Sequence, residues 1–149
     1  MGAERAYLRT ALLLPLTLSA TCLPPNSLAL QADYKLDQIE QVDAINLAAA
    51  KLAKKACVDY MAAHPGSLKF AAGAIGPTNK TLSVSPSVEN PALRGVTYDE
   101  LEQAYYEQAK ALWEGGVDMF LVETIFDTAN AKAAIYALER FFQEKVGGA

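Results

Sequence analysis

Cysteine, histidine and tryptophan are scarce: the 149 residues hold two cysteines, one histidine and one tryptophan. Cys22 and Cys57 have neither a C-x-x-C partner nor a histidine at ligand spacing, so no local zinc site can be drawn. Two cysteines do not make a disulfide framework either. Cys57 lies in an alanine-rich helical pattern, which reads as a buried, inert thiol. His64, in His64-Pro65-Gly66, reads as a helix-end residue facing solvent, not a catalytic one. Runs of lysine and arginine are also missing and the formal net charge is -4, which excludes a grip on a nucleic-acid backbone. The apolar stretch Ala11–Leu18 is too short to cross a bilayer as a helix, which takes about 20 residues.

What remains is ordinary for a globular chain. It is 52% hydrophobic and 20% charged, enough apolar material for one domain and against disorder. Residues 1–27 differ in character from the rest and form an atypical N-terminal extension; the domain covers 28–149. Arg5 and Arg9, the apolar stretch and the small residues after it resemble an export signal, although Glu4 and Pro15 interrupt the pattern. A cytoplasmic location is expected, with export as the alternative if residues 1–25 act as a signal. Asn79-Lys80-Thr81 is an N-x-T triplet of the kind that also occurs by chance.

From Tyr34 to Ala63 apolar residues recur at helical steps, with Leu36, Ile39, Ile45, Leu52 and Ala56 on the expected inner face. His64-Pro65-Gly66 ends that helix. Leu68–Ile75 reads as a buried strand of parallel type. A loop from Gly76 to Val96 follows. Thr97 and Glu100 form a T-x-x-E capping box opening a helix to Glu114, with Leu101, Tyr105, Ala109 and Leu112 inward. Gly115-Gly116 stops it. Val117–Val122 reads as a second buried strand. Asp127 is placed to cap a last helix through Phe142, with Ala131, Ile135, Leu138 and Phe142 inward and a frayed tail KVGGA after it. Strands alternating with helices predict parallel βα units, in either an open doubly wound sheet or a (β/α)8 barrel.

In both architectures chemistry sits at the carboxyl ends of the strands. That selects Gly73–Asn79 and Glu123–Asp127. A carboxylate directly after the apolar Val117–Val122 run needs a cationic partner or hydrogen bonds. For Glu123 the partner is either a substrate ammonium or, structurally, neighbouring backbone or a lysine. Gly73-Ala74-Ile75-Gly76-Pro77 is neither a dinucleotide fingerprint nor a P-loop; its small residues admit a close approach by a ligand or by another loop. Asn79 and Ser83 offer side-chain hydrogen bonds. Tyr105, Tyr106, Trp113, Phe141 and Phe142 read as helix packing. Glu107 and Lys110 are spaced to meet on a helix surface.

At GAIGPTNKTLSVSPSVENP and at ELEQAYYEQAKALWEGGVDMFLVETIFDTANAKAAIYALE the sequence resembles the homocysteine-binding domain of cobalamin-dependent methionine synthase. The likeness runs from about Ala29 to about Lys145. It implies α/β structure: a partial (β/α)8 TIM barrel of about two βα units with a preceding helix, the strands being the third and fourth of eight. It implies a homocysteine S-methyltransferase that moves a methyl group to the homocysteine thiol in methionine biosynthesis, with Glu123, Thr124, Gly76 and Asn79 as substrate-binding residues. The family uses zinc, cobalamin and methyltetrahydrofolate. None of these cofactors is expected in this chain, because the G-x-N-C and C-C motifs that carry the zinc thiolates do not occur in it. The family's D-G-A-M-G-T type first strand is also missing, and TCLPPNSLALQADY resembles an altered loop after the second strand. The resemblance therefore leaves two functions open: a piece of the methyltransferase, or a non-catalytic remnant acting as an interaction protein. A small exported βα protein of shared ancestry is a third. The partners implied are homocysteine, the remainder of a barrel or a second copy, with no nucleic acid and no membrane.

Overall fold

The computed structural model describes residues 18–19 and 39–146. In chain order the elements are β1 (Leu18–Ser19), α1 (Ile39–Ala63), β2 (Ala71–Ile75), α2 (Tyr98–Glu114), β3 (Met119–Val122) and α3 (Thr128–Val146). The sequence predicts two strands; the structure has a third, short one. Its Leu18 is the last residue of the N-terminal apolar stretch, and Leu18 and Ser19 pair in parallel with Ala71 and Ala72. The extension thus contributes to the sheet.

All three strands are parallel and lie in the order β1-β2-β3, each linked to the next through a helix. Sequential order without a reversal is what a singly wound sheet has; a doubly wound sheet reverses direction at its switch point. The β2–β3 register pairs Ala72 with Met119, Gly73 with Phe120, Ala74 with Leu121 and Ile75 with Val122. Successive side chains of a strand point to opposite faces. Ala71, Gly73 and Ile75 face the helices: Ala71 packs with Ala53 and Cys57 of α1, and Ile75 joins Leu101, Tyr105 and Leu112 of α2. A Cβ on Gly73 would lie 3.2 Å from Leu112 Cδ1 and 3.4 Å from Phe120. The small residue there serves helix-on-sheet packing and not a ligand.

Local chemistry explains the helix ends. The Thr97 side chain accepts from the Glu100 N–H while the Glu100 carboxylate accepts from the Thr97 N–H at 2.8 Å, so the capping box is complete. Such a cap contributes about 1 kcal/mol. Gly116, at φ +91, takes the left-handed conformation that ends α2. Gly115 has an ordinary φ but touches α1: a Cβ there would fall 2.3 Å from Ala50 Cβ. At the start of β3, Asp118 ties three elements. Its N–H donates to Ala71 O at 2.8 Å, its carboxylate accepts from the Ala71 N–H at 2.8 Å, and Lys54 of α1 pairs with it. His64 is exposed at the end of α1, stacked on Tyr60 with ring centroids 4.1 Å apart. Cys57 is buried in α1, as the helical pattern implies.

Three expectations about burial need correction. α2 buries the predicted Leu101, Tyr105, Ala109 and Leu112. α3 follows its prediction only in part: Leu138 packs against the core, but the buried residues are Asn130, Ala133, Ala134, Ala137 and Phe141, while Ile135 is 57% and Phe142 42% exposed. α1 likewise buries Val42, Asn46, Ala50, Ala53 and Cys57, and Leu52 is 70% exposed. On both helices alanines face inward and let the helices pack closely, while Leu52 and Ile135 lie on the outer face and Val42 and Phe141 stay buried. The third correction is β3, predicted to be buried: Met119 and Leu121 are each 41% exposed. They share the face of the sheet turned away from the helices, and among the described strands β3 stands at the edge. The aromatic residues pack as expected, with Phe120, Trp113, Phe141 and Phe142 meeting edge to face. The Glu107–Lys110 pair is not formed; Glu107 accepts from Gln103 at 3.0 Å instead.

Candidate functional site

The sheet and its helices bring the carboxyl ends of β2 and β3 to one rim. The ladder runs one step beyond β3, where the Glu123 N–H donates to Ile75 O at 3.0 Å. Glu123 therefore stands beside Gly76, and strand alternation puts its side chain on the face of Leu121 and Met119, away from the helices. Gly76 offers no side chain there. Gly76 itself is buried and its carbonyl accepts from the Tyr105 hydroxyl at 2.9 Å. Burial pushes the Tyr105 phenol far above its usual range, with the Asp127 charge adding to it, so it stays a neutral donor.

Glu123 is half-buried, and among the described residues its carboxylate has no ion pair and no hydrogen-bond donor. The structural alternative, a carboxylate bound to a lysine or to backbone, is therefore not what these residues form. Thr124 follows with φ 61. It is the one non-glycine residue with positive φ among the described residues, and for a β-branched side chain that conformation is strained. The turn sends the chain from the rim into Asp127, which caps α3.

Residues 17–146 match the family described as homocysteine S-methyltransferase. The chain belongs to that family. Among solved structures it is similar to the homocysteine methyltransferase MmuM from Escherichia coli. With the metallated form the TM-score is 0.60 at 22% identity over 87% of this chain; with the apo form it is 0.54 at 22% identity over 70%. The chain spans only 42% and 35% of the chains in those two structures.

The segments GPTNKTLSVSPS and VETIFDTANAK meet in the structure through a set of hydrogen bonds. Asp127 Oδ1 accepts from the N–H groups of Ala129 at 2.8 Å and Asn130 at 3.3 Å, which caps α3. The same carboxylate reaches into the loop after β2, accepting from Ser83 N–H at 2.8 Å and Ser83 Oγ at 2.8 Å. Burial would raise the Asp127 pKa, but the donors from Ser83, Ala129 and Asn130 outweigh it and hold the carboxyl below its ordinary range. Asn130 is 2% exposed and fully used: Oδ1 accepts from Leu82 N–H at 3.0 Å, and Nδ2 donates to Lys80 O at 2.8 Å and Thr78 Oγ1 at 3.3 Å.

The four residues expected to bind substrate divide into two groups. Glu123, Thr124 and Gly76 share the rim. Asn79 lies further out, exposed, on a cavity of about 310 Å³ lined also by Lys80, Thr81, Val84, Ser85, Pro86 and Gly95. Glu123, Thr124 and Gly76 do not line that cavity. The sequence reading missed Asn130, Thr78, Gln108 and Asp118. Asn130 had a legible signal, since it stands three residues after a capping aspartate and so on the same first turn. Gln108, wholly buried, donates to Ala74 O at 3.2 Å, and no spacing rule announces that.

The zinc that the resemblance implies finds no fit here: among the described residues no three His, Cys, Asp or Glu side chains converge on one point. Cys57 packs against Ala53 and Ala71, on the helix side of the sheet, and Cys22 lies outside the described residues. Among the described residues no helix is long and apolar enough to cross a membrane.

Proposed function

We propose that this chain carries the amino-acid-recognising rim of a homocysteine S-methyltransferase of the methionine synthase type, within a partial (β/α)8 barrel. Glu123 receives the α-ammonium of homocysteine. The observation that carries this reading is its carboxylate, half-buried at the end of a parallel strand and unmatched by any cation among the described residues. A half-buried carboxylate is costly to desolvate unless a donor arrives, and an ammonium supplies both charge and protons.

Thr124 and the Gly76 carbonyl region flank that position. They orient the amino end and leave the thiol extended from the rim. In the family reaction the homocysteine sulfur forms a bond to a methyl carbon as that carbon leaves its donor. The residues described here bind and orient; they do not supply the groups that ionise the thiol. The sequential parallel strand order and the sheet face bearing Met119 and Leu121 support a barrel wall, since barrel interiors are filled by apolar side chains from neighbouring strands. That same exposed face favours the second reading, a non-catalytic chain whose apolar surface joins another protein.

Titration of homocysteine into the purified chain tests the first reading. Binding that falls by about 10- to 100-fold in Glu123→Gln is expected, the size of one charge-assisted hydrogen bond. Equal binding by both proteins contradicts it.

A further inference from the structure

We propose that Asp127 and Asn130 form a latch that fixes the loop after β2 to the start of α3, and so sets the shape of the rim on which Glu123 stands. The second half of this statement rests on the homocysteine reading above; the latch itself does not.

The loop supplies few restraints of its own between Gly76 and Ser83. Within that stretch Thr78 Oγ1 donates to Lys80 O at 2.6 Å, a local turn. Lys80 N–H donates back to Thr78 Oγ1 at 3.3 Å, and Thr81 Oγ1 donates to Val84 O at 3.2 Å; the ties of Lys80 O, Leu82 and Ser83 beyond the loop go to the start of α3. Ser83 gives Asp127 two hydrogen bonds, Leu82 gives Asn130 one, and Lys80 O takes one back. Asn130 thus behaves as a piece of backbone would, accepting from one peptide unit and donating to another. It is buried; removing its acceptor leaves the Leu82 N–H without that partner, and removing its donor leaves Lys80 O with Thr78 Oγ1 alone.

The positions of these ties matter more than their number. The Glu123–Asp127 segment is bound to the β2 strand and its loop at both ends, through Glu123 N–H to Ile75 O at 3.0 Å and through Asp127 to Ser83. Between the two ties lies Thr124 at φ 61. A strained residue persists only where its surroundings over-determine it. The latch is the outer of the two anchors that do so. Asp127 and Asn130 are positioning residues on this account, since their polar atoms are taken up by Ser83, Leu82, Lys80, Thr78 and the first turn of α3.

Amide hydrogen exchange resolved by residue tests the latch. Asp127→Asn keeps a cap for α3 but loses the charge and one acceptor; Asn130→Asp keeps the acceptor for Leu82 and loses both donations. Exchange at Leu82 and Ser83 is expected to quicken by about tenfold or more in each variant, with more in Asp127→Ala. The amides of Asp118 and Glu123, bonded to Ala71 and Ile75, should keep their wild-type rates. Unchanged exchange at Leu82 and Ser83 overturns the latch. Uniform acceleration at all four amides also overturns it, because the effect is then on global stability. Ser83→Ala, which leaves the α3 cap intact, should give the same local pattern in smaller degree and guards against misfolding of the other variants. Homocysteine affinity is read in parallel. A latch variant that opens the loop yet binds homocysteine as wild type does overturns the positioning role. If the wild-type chain binds no homocysteine, the functional reading fails while the exchange pattern still decides the latch.

Discussion

Ser83 donates twice to Asp127, from its N–H and its hydroxyl, each at 2.8 Å, across a sequence gap that holds all of α2 and β3. This pair joins the loop of one βα unit to the helix of the next. It predicts a pH dependence. The Asp127 carboxyl is held below its ordinary range, as is Asp118, where burial is outweighed by Lys54 and the Ala71 N–H. A depressed carboxyl stabilises the fold fully above the unfolded-state pKa, about 4, and loses that contribution as pH falls through the lower folded value. Thermal unfolding followed from about pH 6 to about pH 2.5 should show a steep acid limb that is shallower in Asp127→Asn and in Asp118→Asn. An acid limb of the same slope in both variants contradicts the assignment.

Gly115 is a packing glycine. Its missing Cβ is what lets α1 and α2 touch, since an added carbon would meet Ala50 Cβ at 2.3 Å and Leu47 O at 2.9 Å. Gly115→Ala should destabilise by about 1–3 kcal/mol, more than the helix-propensity gain of up to ~1 kcal/mol returns. Denaturant midpoints of the two proteins measure it. A midpoint at or above wild type means that the helices separate freely there.

Thr124 behaves in the opposite sense. A β-branched residue at φ 61 is strained by roughly 1–2 kcal/mol, and Thr124→Gly relieves this at an unfolded-state entropy cost of about 0.4–1 kcal/mol. A net gain of up to ~1 kcal/mol in stability is expected, together with weaker homocysteine binding, because strain at a rim is kept for the geometry it enforces. A variant that is less stable than wild type contradicts the strain argument.

Tyr105 carries its hydroxyl to Gly76 O in the core beneath the rim. Tyr105→Phe leaves that buried carbonyl without its donor and should cost about 1–3 kcal/mol, with little change in volume. Chemical denaturation reads it directly, and a neutral substitution shows that another donor takes over.

The helix-strand order was legible from residues alone, because capping and breaking residues act locally. Thr97 with Glu100, Asp127, and the His64-Pro65-Gly66 and Gly115-Gly116 stops all end helices where their chemistry requires. Inner faces were legible only on α2, where the large apolar residues face the sheet. On α1 and α3 the alanines face inward, and hydrophobicity misidentifies a face whose role is close approach. Pairing of Leu18 and Ser19 with β2 is a long-range contact, and the strand is too short for a periodicity to register. At the site, Glu123 followed from a charge placed after an apolar run. The bonds from Ser83 and Leu82 to Asp127 and Asn130 depend on how a loop folds back over a helix, which no spacing encodes.

The account turns on one contact, Glu123 with the ammonium of homocysteine. Its most direct test compares homocysteine with 4-mercaptobutanoate, the same thiol acid without the amino group, against wild type and Glu123→Gln by calorimetric titration. The expected result is strong non-additivity: removing the ammonium or the carboxylate each weakens binding by about 10- to 100-fold, and removing both costs little more than either alone. Equal losses from Glu123→Gln for the two ligands would place the ammonium elsewhere and contradict the account.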